Sequence, residues 1–95
     1  MRLSAYERES LRAAVHRYLP DAQVMLYGSR VDDSKRGGDI DILVLTNQDV
    51  DFRTRGRIEA AMWEKIGEQR IDILIEKPGQ LSRFGHIVMP QAIPL

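Results

Sequence analysis

Hydrophobic residues recur at regular spacings in five stretches of the chain, and the spacing differs between them. Leu11, Val15, Tyr18 and Leu19 follow a helical repeat. Ser4 and Glu7 ahead of them have the S-x-x-E spacing of a capping box. A helix is therefore predicted from Ser4, ended by Pro20-Asp21. Gln23–Tyr27 is short, apolar and closed by Gly28, which predicts a buried strand. A polar segment follows from Ser29 to Gly38, then the strongest strand signal, Asp39–Thr46. Asp51 to Ile66 predicts a second helix with Ile58, Ala61, Met62 and Ile66 as its stripe and Gly67 as its stop. Arg70–Glu76 predicts a third strand, broken by Pro78-Gly79. The last 16 residues are mixed, and Pro90 and Pro94 restrict any helix there. This order predicts an α/β (α+β) fold: a small mixed β-sheet with helices packed on it. The length of 95 residues fits a single domain over 1–95.

Composition narrows the function. Fourteen basic and fourteen acidic residues cancel. Generic nucleic-acid binding needs a basic excess to displace counterions, so any nucleotide contact must be local. There is no cysteine, which excludes disulfides, thiolate zinc sites and cysteine nucleophiles. His16 and His86 have no ligand-like spacing, so zinc is not indicated. No apolar run approaches the roughly 20 residues of a membrane span. The first ten residues, MRLSAYERES, lack the apolar core of a signal peptide. A soluble, cytoplasmic protein is expected.

The anomaly is acid inside strands, where aspartate is depleted. Residues i and i+2 of a strand share a face. Asp39 and Asp41 should project together, roughly 6.5–7 Å apart, with Ile40, Ile42 and Val44 buried on the other side. Ile71, Ile73 and Ile75 leave Asp72 on the opposite face of the third strand. If the two strands are neighbours, three carboxylates converge and repel, and a divalent cation relieves the repulsion. Two such ions are the arrangement used for in-line nucleotidyl displacement. The plainer alternative is a solvated outer face.

Gly28-Ser29 directly after a strand is the second feature. Ser29 and Asp32 repeat the capping spacing, so a short helix can begin at Ser29 and offer free amides to phosphate. An ordinary strand-to-helix turn would look the same. Walker A and G-x-G-x-x-G patterns are absent. Arg30, Lys35 and Arg36 could reach phosphate or form a solvated turn. Trp63 lies off its helix stripe and marks either another part of the core or a partner surface. Arg53, Arg55 and Arg57 should be exposed.

Taken together, the stretch LYGSRVDDSKRGGDIDILVLT and a distal strand acid, Asp72, resemble the nucleotidyltransferase superfamily that includes DNA polymerase β. The short length looks like its minimal nucleotidyltransferase (MNT) branch, often encoded beside a HEPN-domain partner in toxin–antitoxin pairs. The resemblance implies a polymerase β-like fold. It implies that Gly28 and Ser29, with Arg30 next to them, bind the triphosphate of ATP or another NTP. It implies that Asp39 and Asp41 bind two Mg²⁺ ions, and that Asp72 completes the metal site and helps deprotonate the acceptor. The implied reaction moves AMP to a tyrosine hydroxyl of the HEPN toxin. One departure is that nine residues separate Ser29 from Asp39, where many minimal members have ten. So short a chain leaves little for an acceptor pocket, so the acceptor should come from a partner or a second subunit of a homo-oligomer. A two-metal phosphodiester hydrolase and a non-catalytic module that neutralises a toxin by contact are the competing readings. A triphosphate turn speaks against the first, and three converging acids against the second.

Overall fold

A computed structural model describes residues 2–31 and 38–95. Helix α1 spans Ala5–Tyr18 and strand β1 Gln23–Tyr27. A single 3-10 turn, Gly28–Val31, leads toward strand β2, Ile40–Leu45. Helix α2 (Phe52–Ile66) and strand β3 (Ile71–Glu76) follow, then helix α3 (Arg83–Val88), a short 3-10 turn and strand β4 (Ile93–Pro94). The strands form one mixed sheet in the order β3-β2-β1-β4. β2 and β3 are parallel, and β1 is antiparallel to both β2 and β4. The expected fold class is therefore the observed one. Asp32, Lys35, Arg36 and Gly37 lie outside the described residues.

Local chemistry sets the helix ends. The Ser4 hydroxyl accepts from the Glu7 amide and the Glu7 carboxylate accepts from the Ser4 amide, so the capping box is complete. Asp51 caps α2 by accepting from the Thr54 amide at 2.8 Å. Gly67 ends α2 with φ +83°, a left-handed value that glycine takes without a Cβ penalty.

One face of the sheet buries the expected stripe. Ile40, Ile42, Val44, Ile71 and Ile73 pack against Leu11 and Val15 of α1, Leu19 just after it, and Ile58, Ala61 and Met62 of α2. Trp63 joins the edge of this core and donates from Nε1 to the Gln69 carbonyl at 2.8 Å, which settles its place in the core. His16 is half-buried, with Nε2 2.9 Å from the Ala22 carbonyl at the α1–β1 turn.

The other face is not simply a solvated surface. Met25, Tyr27, Leu43 and Leu45 form a second apolar cluster under Val88, with Leu74, Leu81, Met89 and Ala92 packed against it. The C-terminal segment supplies that cover. Both faces of β2 are thus covered, which explains its nearly unbroken burial.

The attachment of α3 rests on one buried acid. Glu76, at the end of β3, accepts from the Ser82 amide at 2.6 Å and the Ser82 hydroxyl at 2.9 Å. The Ser82 hydroxyl in turn accepts from the Gly85 amide at 3.0 Å, capping α3. Gly85 lies so close to the Glu76 carboxylate that a Cβ there would come within 2.8 Å of its Cδ. A buried carboxylate is tolerated because its oxygens are used.

Candidate active site

The carboxylates gather where β1, β2 and β3 meet. Asp41 is the parallel register partner of Asp72 and the antiparallel partner of Tyr27. Directly paired residues project on the same face, so these three side chains share one patch at the edge of the second apolar cluster. Asp41 is half-buried and Asp72 exposed. The two carboxyl groups lie close enough to interact directly. Burial first, then the charges of Asp72 and Asp39, then hydrogen bonding toward Asp72, hold the Asp41 carboxyl above its ordinary value. Burial, and after it the charges of Asp41 and Asp72, raise the Tyr27 phenol, while Arg55 pulls it down.

Asp39 sits differently. The strand begins at Ile40, so Asp39 stands just ahead of it. Its Oδ2 is 3.2 Å from Nε of Arg70, the residue just ahead of β3. Its charge still acts on Asp41. Among the described residues, no three acidic or histidine side chains are already gathered as a cage for a metal ion. The donor set nevertheless fits a divalent cation. A cation can relieve the repulsion between the paired Asp41 and Asp72, and carboxylate oxygens are hard ligands that suit Mg²⁺.

The Gly-Ser turn is built around the same carboxylate. Gly28 has φ +79°, and a Cβ on it would collide with the Asp41 carboxylate. Gly38 has φ +87°, and a Cβ there would collide with the Ser29 hydroxyl. The turn after β1 and the approach to β2 therefore touch, which brings Ser29 next to the residues leading into Asp39. Arg30 is half-buried in a reciprocal clasp with the N-terminal segment. Its Nη1 donates to the Arg2 carbonyl at 3.0 Å, the Arg2 amide donates to the Arg30 carbonyl at 2.8 Å, and Arg2 Nη2 donates to the Ser29 carbonyl at 3.1 Å. The Arg30 Nε is buried without a hydrogen-bond partner among the described residues.

Three contributors have no local signal in the sequence. Arg55 is exposed as expected, yet its guanidinium donates to the Ile73 carbonyl and its charge reaches the Tyr27 phenol. Tyr27 reads as a core strand residue until its pairing with Asp41 is known. Arg2 meets the Gly-Ser turn only through the tertiary fold. A cavity of about 400 Å³ lies elsewhere, between α1 and α2, lined by Tyr6, Ala13, Ala61 and Lys65 among others. Its lining includes none of Asp39, Asp41 and Asp72.

Residues 8–88 match the family model of the nucleotidyltransferase domain. The chain belongs to that family. The chain is also similar to a solved structure of a protein provisionally assigned as a minimal nucleotidyltransferase. That match has 29% sequence identity and a TM-score of 0.71, and covers 93% of this chain and 88% of the other. No curated protein matches the chain. As a minimal member of the polymerase β-like superfamily, this nucleotidyltransferase carries its acids at the start of two adjacent parallel strands, beside a strand–Gly-Ser turn. None of its described helices is long and apolar enough to cross a membrane.

Proposed function

We propose that this nucleotidyltransferase is Mg²⁺-dependent, transfers AMP from ATP to a hydroxyl of a HEPN-type partner protein, and so acts as an antitoxin. The observation that carries the reading is the register pairing of Asp41 with Asp72 beside a Gly28 turn that leaves room for the Asp41 carboxylate. In this reading Gly28, Ser29 and Arg30 receive the triphosphate. Asp39, Asp41 and Asp72 hold the divalent cations, which supply charge neutralisation for displacement at the α-phosphate. For Asp39 to join them it must exchange Arg70 for the ion, and an exposed ion pair is weak enough to allow that.

The acceptor oxygen forms a bond to the α-phosphorus as the bond to the pyrophosphate breaks, and the hydroxyl proton passes to Asp72. Exposure of Asp72 supports this role, because an acceptor on another molecule must approach from outside. The half-buried Asp41 faces the donor side, next to Gly28.

The test is incubation of the protein with Mg²⁺-ATP and the product of the adjacent gene, followed by intact mass. The expected result is a gain of one AMP on a tyrosine of the partner, lost with Asp72→Asn. A partner bound and neutralised with no mass change would overturn the transfer and leave a contact antitoxin.

A further inference from the structure

We propose that Phe84 is the aromatic platform on which the nucleobase of the donor triphosphate stacks. The inference rests on the nucleotidyl-transfer reading above and adds where the base lies. Phe84 is half exposed, at 50%, although it belongs to the segment that covers the second apolar cluster. Its ring stands edge-on to Tyr27, with centroids 6.2 Å apart and planes at 74°. Tyr27 is the register partner of Asp41 and is followed directly by Gly28. One aromatic ring therefore links the Phe84 ring to the strand end that bears the carboxylate and the Gly-Ser turn.

Phe84 is also held in position. It stands between Ser82, whose amide and hydroxyl both bond Glu76, and Gly85, which rests on the same carboxylate. An anchored ring loses little freedom when a flat ligand lands on it, which is the condition for a useful stacking contact. The edge-to-face contact uses one side of the Tyr27–Phe84 pair and leaves part of the Phe84 surface open. A nucleotide whose phosphates lie at Gly28 and Ser29 carries its base away from them on a ribose, toward the walls of the same patch. Phe84 is the exposed aromatic there, since Tyr6 and Phe52, the other largely exposed rings, belong to α1 and α2 on the opposite face.

The experiment compares Mg²⁺-ATP with Mg²⁺-tripolyphosphate, which has the phosphates and no base. Binding of each to wild type, Phe84→Leu and Phe84→Trp is measured by calorimetry. Leucine keeps an apolar side chain over Tyr27 and removes the ring face. Phe84→Leu should weaken ATP about tenfold, the scale of one base–aromatic stack, and leave tripolyphosphate unchanged. Phe84→Trp should restore ATP binding. Equal losses for both ligands, or no loss for either, would overturn the platform. Failure of wild type to bind either ligand would overturn the donor-site reading itself, which separates the two failures.

Discussion

Gly28 and Asp41 compete for one volume: the carboxylate of Asp41 occupies the space where a side chain at position 28 would begin, with Cγ 3.2 Å from that point. The absence of a side chain at 28 thus determines where a carboxylate on the neighbouring strand can sit. Gly28→Ala should meet two penalties. The φ of +79° costs an L-residue roughly 1–2 kcal/mol, and the new methyl must displace Asp41. We expect a modest fall in stability by urea titration and a loss of Mg²⁺-ATP binding well beyond it. Normal ATP binding by a folded Gly28→Ala variant would detach the turn from the site.

The metal-free protein should become less stable as pH rises through the titration of Asp41. Its carboxyl is raised above the ordinary 3.8, so between those values the native state holds a proton that the unfolded chain has released. Stability then falls with rising pH and stays lower above the window. Asp41→Asn should flatten this slope, and Mg²⁺ should offset the loss in the wild type. Urea titrations from acidic to neutral pH, with and without a chelator, give the sign directly.

Strand-face variants separate fold from chemistry. Ile40 is fully buried and Ile73 nearly so, and truncating either to Ala should cost roughly 2–5 kcal/mol. Asp72→Asn changes an exposed residue and should leave stability within about 0.5 kcal/mol. Unfolding of Asp72→Asn with tolerance of Ile40→Ala would mean the two faces are assigned the wrong way round.

Glu76 should matter for α3 more than for the sheet. Glu76→Ala strands the Ser82 amide and hydroxyl and empties the space beside Gly85, at a cost of about 1–3 kcal/mol. Amide hydrogen exchange should speed up through Arg83–Val88 while the amides of β1 and β2 stay protected. Uniform acceleration across all strands would place Glu76 in the global core instead.

Much of the fold was legible because it follows local rules. The Ser4–Glu7 box, the Gly67 stop and the isoleucine stripe each declare themselves within a few residues. The acids declared themselves by being wrong for a strand. Relations spanning greater distances were not legible. The contact of Arg55 with Ile73 crosses 18 residues, and that of Arg2 with Ser29 crosses 27. No periodicity marks either.

The sequence by itself determined the elements of one sheet face, because apolar alternation requires Ile40, Ile42, Ile71 and Ile73 to be buried, and it singled out Asp39, Asp41 and Asp72 because strands disfavour such residues. Tertiary structure alone decided how those acids meet. Parallel pairing in register put Asp41 beside Asp72, the start of β2 at Ile40 left Asp39 to Arg70, and folding of the proline-containing tail over Leu43 and Tyr27 made the acid-bearing face half apolar. The physical reason is that side-chain alternation specifies which face a residue takes, whereas the partner across the sheet is set by strand order and register, and these depend on how all the covering segments pack.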